Sequence, residues 1–226
     1  MPDNLAIAEA LKNLIYPEHL FCHTCGKYIA RFPEDILCDC CRWALNAELF
    51  QPWESLHCGY DENLRVFSAF PHKGISRELV HRLKYESDLQ AANPLAEGMC
   101  KVLIDAQYPL SEVDMVIPVP LHPIRLQKRG YNQALVLAEA FCKHFGFIFT
   151  EHYLKRARFS DSQVGRNKTE RIEAMRDVFQ ASEILQGEHI IIIDDVCTTG
   201  ATGSACAEVL KKAGAGQITL VTACSA

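Results

Sequence analysis

Two groups of residues in this chain have the types and spacing to do chemistry. The first is a cysteine series in which Cys22-x2-Cys25 is followed, twelve residues later, by Cys38-x2-Cys41. Paired knuckles of this kind can place four thiolates at the corners of a tetrahedron, the geometry that Zn2+ takes in structural sites. Cys40 and Cys58 leave the register open at one ligand and His23 could compete; the expected set is Cys22, Cys25, Cys38 and Cys41. Four thiolates leave no open coordination position, so the metal would supply folding free energy rather than react.

The second group is the run HIIIIDDVCTTGAT at residues 189–202. Four consecutive isoleucines suit a parallel strand covered on both faces. Asp194 and Asp195 would emerge at its carboxyl end, where open α/β sheets bind their ligands. Val196, Cys197, Thr198, Thr199, Gly200, Ala201 and Thr202 then turn into a helix, offering backbone N–H groups, hydroxyls and a helix dipole to one anion. Two adjacent carboxylates would repel a bare phosphate but can accept the hydroxyls of a ribose that carries one. The chemistry expected is therefore recognition of a ribose 5-phosphate. Cys197 would serve through its backbone N–H, since no histidine is its sequence neighbour. A Walker loop is excluded because the chain contains no GxxxxGK[ST], and Gly214-Ala-Gly216 precedes a strand and lacks the third glycine of a dinucleotide fingerprint.

These groups need elements to position them. Apolar runs predict strands at 65–70, 114–119, 189–194 and 217–222, with a weaker one at 147–154. Helical spacing marks 94–106, 132–145 and 202–213, with Gly146 and Gly214 where C-caps belong. Strands alternating with helices argue for βα units and a mainly parallel sheet with flanking helices. Six of the eleven cysteines fall in the first 58 residues. That uneven distribution divides the chain into an N-terminal helix and zinc-binding module over 1–60 and an α/β domain over 61–226.

Between strand and helix, PVPLHPIRLQKRGYNQ at 118–133 reads as a basic loop: Arg125, Lys128 and Arg129 could face pyrophosphate, prolines stiffen the strand exit, and Gly130 permits close backbone approach. A second basic stretch, 158–171, is polar, aperiodic and glycine-containing, and would close over the site with Gln163, Arg166 and Arg171.

The thirteen residues IIIIDDVCTTGAT resemble the phosphoribosyl pyrophosphate (PRPP) motif of type I phosphoribosyltransferases. A narrower resemblance rests on VIPVPLHPIRLQKRGYNQA, HRLKYESD at 81–88, RARFSDSQ with TER, and the same motif: together they look like the ComF (ComFC) family of competence proteins. The resemblance covers most of residues 20–223. It implies a type I phosphoribosyltransferase fold that binds PRPP with Mg2+ through Asp194, Asp195 and residues 196–202. Lys84, in the LKY element, would lie near the ligand and join Arg125, Arg129, Gln163 and Arg171 in serving the pyrophosphate and the closing loop. It also implies a part in DNA uptake during natural transformation, with single-stranded DNA and the uptake machinery as partners. Where members carry ERxxNVxGAF, this chain reads ERIEAMRDVF, with Ala174 and Asp177 in place of the asparagine and glycine. A nucleobase salvage enzyme and a non-catalytic PRPP sensor are the competing functions, the first disfavoured because the extra mass is a cysteine knuckle rather than a base-binding hood.

Composition agrees with an ordinary folded domain: 49% hydrophobic and 23% charged residues leave no room for the disorder signature. The net charge of −5 argues against global attraction to nucleic acid, so any such contact must be local. MPDNLAIAEALKNLIYP lacks a basic start, a long apolar stretch and a cleavage site, and places Leu5, Ala8, Leu11 and Ile15 on one helix face. No membrane insertion is expected, and the cytoplasm, where thiols stay reduced, is the expected compartment.

Overall fold

The computed structural model describes residues 20–29, 36–51, 56–58, 64–156 and 178–226. The helix expected at 5–15 lies outside them, as do Gln163, Arg166, Arg171, Ala174 and Asp177. The chain forms two compact units, residues 1–47 and 48–226. The division falls earlier than the cysteine distribution suggests, because Leu56–Cys58 is already an edge strand of the sheet.

In the first unit, Phe21 and Tyr28 form a β-bridge around the turn that holds Cys22 and Cys25, and helix α1 (Asp39–Ala47) carries Cys41. Gly26 N–H donates to the Cys22 carbonyl at 2.8 Å, closing the first knuckle.

The second unit is built on five strands: β1 (Leu56–Cys58), β2 (Arg65–Pro71), β3 (Met115–Pro118), β6 (Ile190–Cys197) and β7 (Ile218–Ser225), in the order β1-β2-β7-β6-β3. β1 is antiparallel to β2, and every other pairing is parallel. β4 (Leu154–Arg156) and β5 (Phe179–Ala181) form a separate antiparallel ribbon. The weak strand expected at 147–154 is reduced to β4 and one parallel bridge between Phe149 and Val116.

Helices α3 (Ala92–Asp105) and α5 (Gln133–Phe145) pack on each other and on the sheet, α6 (Ala201–Lys212) packs against β5, β6 and β7, and α2 (Gly74–Tyr85) follows β2. All four isoleucines of β6 are fully buried. Ile190 and Ile192 join the core beneath α6 with Cys206, Leu210 and Leu220. Because side chains alternate along a strand, Ile191 and Ile193 face the opposite layer. That two-sided burial is why the strand is a continuous apolar run.

Two elements escaped the periodicity reading. Residues 74–85 form α2, whose first N–H groups, those of Ile75 and Ser76, donate to the Glu48 carboxylate at 3.2 Å each. The segment expected as a loop at 118–133 contains a short helix, α4 (Pro123–Arg129). Pro123 takes the first helical position, His122 Nδ1 accepts from the Ile124 N–H at 3.2 Å, and left-handed Gly130 ends the helix. A seven-residue helix is too short for periodicity to register.

Among the described residues, no helix is long and apolar enough to cross a membrane.

Candidate functional site

Parallel strands put the carboxyl ends of β2, β3, β6 and β7 on one edge of the sheet, and the loops after β2, β3 and β6 gather there. The loop after β6 enters α6 through Gly200, whose φ of 77° is left-handed and favours glycine. Gly203, one turn on, lies so close to β7 that an added Cβ would fall 2.4 Å from Leu220 Cδ2. Together they let the first turn of α6 press against the sheet. The result is a solvent-open depression of about 240 Å3, lined by Asp194, residues 196–203, Leu220 and Thr222. The initial N–H groups of a helix have no intrahelical acceptor, so this hollow is suited to an anion.

The two aspartates do different things. Asp194 shares the parity of Ile190 and Ile192 and lines the hollow on the α6 side. Burial first, and then the charge of Asp195, push its carboxyl up to about 7, against the Asp195 N–H, Lys84 and Arg156, which favour the ionised form. Asp195 has the opposite parity and is buried. Its Oδ1 pairs with Lys84 Nζ at 2.9 Å, while its Oδ2 is buried without a hydrogen-bond partner among the described residues. His72, at the end of β2, has its pKa lowered by burial and by the Lys84 charge, with Asp195 opposing. Cys197 lines the hollow with its thiol pushed up by burial and by Asp194, which disfavours the nucleophilic thiolate.

The basic segment at 118–133 is held in place by its own residues. Asn132 caps α5 by accepting from the Ala134 N–H at 3.1 Å and donates Nδ2–H to the Val119 carbonyl at 3.0 Å, tying helix start to strand end. Tyr131 donates its hydroxyl to the Leu83 carbonyl, linking this segment to the last turn of α2. Arg129 donates to Gln133 Oε1, and its guanidinium lies 5.7 Å from the centroid of the Tyr85 ring. Arg156 stands in the RARFSDSQ segment, but sequence reasoning assigned it no site role. It ends β4 with its guanidinium over Phe179 at 5.4 Å, and its pKa is lowered by burial and by the nearby Arg125, with Asp194 opposing. Nothing in the periodicity of a three-residue strand marks it. Of the expected residues, the structure joins Lys84 to Asp195, sets Arg125 and Arg129 on α4, and gathers residues 196–202 around one hollow; Gln163 and Arg171 lie outside the described residues.

In the first unit, the sulfurs of Cys22, Cys25, Cys38 and Cys41 all lie within 4.8 Å of one another, with Cys25 and Cys38 Sγ 3.6 Å apart. This cluster can hold a metal ion such as zinc. Cys40 is exposed and outside the cluster, and the Cys58 side chain lies outside the described residues. Burial raises the Cys22 thiol, but the backbone N–H groups of Cys38, Cys25 and Thr24 outweigh it and bring the pKa down to about 6. Burial and the neighbouring cysteines push Cys41 up instead. Four thiolates this close repel one another, and a divalent cation is what relieves that repulsion.

Residues 132–226 match the family model of the phosphoribosyl transferase domain. With its mainly parallel sheet and flanking helices, the second unit has a phosphoribosyltransferase fold. Competence protein F of Haemophilus influenzae is 25% identical over 220 residues, covering 91% of this chain and 90% of that protein. DNA utilization protein YhgH of Salmonella typhimurium is 28% identical over 148 residues, 65% of each chain, so the match spans just under two thirds of that relative. Competence protein ComFC of Bacillus subtilis is 29% identical over 139 residues, 60% of this chain and 53% of that one. The chain is thus similar to the competence proteins F and ComFC and to DNA utilization protein YhgH, and carries a phosphoribosyl transferase domain match.

Proposed function

We propose that this protein binds PRPP, or the ribose 5-phosphate within it, and works in the uptake or utilisation of DNA. The observation that carries the ligand is the hollow between β6 and α6. Residues 198–202 would hold the 5-phosphate on the backbone N–H groups of the first turn of α6. Asp194, at the wall of the hollow, and Asp195, with Oδ2 unsatisfied, would accept the ribose hydroxyls. Arg125 and Arg129 on α4 would face the pyrophosphate, with Lys84, Gln163 and Arg171 completing that side and the closing loop. Mg2+ would arrive with PRPP, neutralise pyrophosphate charge and keep most of its waters. The role in DNA is supported by the similarity to competence protein F and DNA utilization protein YhgH.

Zinc on Cys22, Cys25, Cys38 and Cys41 would be structural, since all four positions are filled by protein. A thiolate cluster of this kind fits a reducing compartment, and the cytoplasm is the compartment proposed.

The test is calorimetric titration with PRPP and Mg2+. Micromolar-range binding is expected for the wild type and none for Asp194→Ala with Asp195→Ala; equal affinity in the two proteins would overturn the assignment. Pyrophosphate release on adding nucleobases identifies a salvage enzyme, and binding without turnover identifies a sensor. Loss of transformation in a competent host lacking the chain tests the DNA role.

A further inference from the structure

Consecutive residues at the end of α2 face two different environments. Lys84 turns inward to Asp195 and is one fifth exposed, whereas Tyr85 is 69% exposed. The Tyr85 ring is therefore open to solvent one residue from the side chain that pairs with Asp195. The ring has two neighbours: the His81 ring lies 5.0 Å from it, tilted at 46°, and the Arg129 guanidinium lies 5.7 Å from its centroid. Tyr131 holds the backbone of this turn through Leu83, so the ring stands on a positioned base.

The surrounding charge selects the occupant. α4 reads PIRLQKR, with three cations and no acid in seven residues, while its Ile124 and Leu126 are 48% and 42% exposed. Acids near the ring are engaged: Glu78, Glu86 and Asp88 pair with Arg82, and Glu86 also lies 3.4 Å from His81 Nδ1. On a protein of net charge −5, this is a local basic strip with an exposed aromatic ring at its end. Cations beside an exposed ring suit a polymer that carries both phosphates and unpaired bases. We propose that Tyr85, flanked by His81 and Arg129, is a stacking platform for the bases of single-stranded DNA, with the α4 cations taking its phosphates.

The proposal rests on the DNA role proposed above, but not on PRPP binding. A strand seated there would run past the cleft mouth, because Lys84 and Tyr85 are neighbours. Duplex DNA would be a poor occupant, since its bases are already stacked.

The experiment measures fluorescence anisotropy of a labelled oligothymidylate, without PRPP, on the full chain and on Tyr85→Ala and Tyr85→Trp, in parallel with an abasic strand of equal length. The alanine variant should lose about 5- to 100-fold in affinity for the oligothymidylate while tryptophan retains it. The abasic strand should bind the wild type as weakly as the base-bearing strand binds the alanine variant. Equal affinity of wild type for the two strands, or an alanine variant that binds oligothymidylate like wild type, overturns the platform. If Tyr85→Ala does not fold, the two strands on the wild-type protein decide alone. A flat PRPP titration would sink the ribose-phosphate reading and leave this result untouched.

Discussion

Replacing Lys84 by methionine keeps most of the side chain's volume and removes one charge. The Nζ–Oδ1 distance is 2.9 Å, and the Lys84 and Asp195 side chains are 20% and 7% exposed. At that separation and an effective dielectric of about 20 the gross attraction is about 6 kcal/mol, most of it cancelled by desolvation of the two ions. What the variant loses is the partner of a buried carboxylate whose other oxygen has none among the described residues, about 2–4 kcal/mol. For a chain of this size that lowers the melting temperature by about 5–15 °C. A second effect reaches Asp194. Lys84 opposes the burial and the Asp195 charge that raise Asp194 to about 7, so its loss moves that pKa higher. Because the folded-state pKa exceeds the ordinary 3.8, Asp194 favours the ligand-free fold at low pH, and that contribution fades as pH rises through about 7. Ribose hydroxyls prefer the ionised acceptor, so PRPP affinity should rise with pH across the same range. In Lys84→Met the midpoint should move up, and a rise of about one unit would cut the ionised fraction at pH 7, and with it the affinity, about fivefold. Calorimetry with PRPP and Mg2+ across that pH range, in two buffers of different ionisation enthalpy, reads both the midpoint and the protons released. The ligand's own phosphate titration is common to both proteins and cancels in the comparison. Lys84→Arg should behave as wild type. A methionine variant with unchanged melting temperature and unchanged midpoint would refute the reasoning.

Metal analysis should find one zinc per chain, with Cys25→Ser losing it and chelation unfolding the first unit; full occupancy in the variant would remove Cys25 from the ligand set. Gly203→Ala puts a methyl 2.4 Å from Leu220 Cδ2, and should cost about 1–3 kcal/mol in urea unfolding and weaken PRPP binding as α6 is pushed off the sheet; an unchanged denaturation midpoint would show that the contact yields freely. His189 is buried, with Nε2 2.6 Å from the Tyr108 hydroxyl and a pKa lowered by burial. Its neutral form supports the fold above the unfolded pKa of about 6.5, and that support is lost as pH falls through the lower folded value. Thermal melts below neutral pH should therefore steepen, and His189→Gln should flatten that part of the profile; an identical slope in the variant would assign the loss to other groups.

The strongly patterned parts of this protein were readable before any fold was built. Four isoleucines in a row announce a strand buried on both sides, because a one-sided strand would alternate. The DDVCTTGAT turn announces a tight strand-to-helix entry, and in the structure residues 196–202 gather around one hollow. The cysteine spacing announces a metal knuckle, because it suffices by itself to bring sulfurs together; in the structure all four lie within 4.8 Å of one another. These are local signals, written within about twenty consecutive residues each.

What only the tertiary structure decided is how distant residues meet. Lys84 lies 111 positions before Asp195 in the chain, and their ion pair exists because α2 returns over the carboxyl edge of the parallel sheet. The sequence shows two adjacent aspartates as equals; strand parity sends one toward α6 and the hollow and the other toward Lys84, so burial and neighbouring charge treat them differently. Arg156 and Tyr85 gain their meaning the same way. Both fall in segments that carry the ComF resemblance, but each is defined by the ring, cation or carboxylate that packing brings beside it. Periodicity reports which face of an element is apolar, and it carries no information about which partner that face or its polar edge will find.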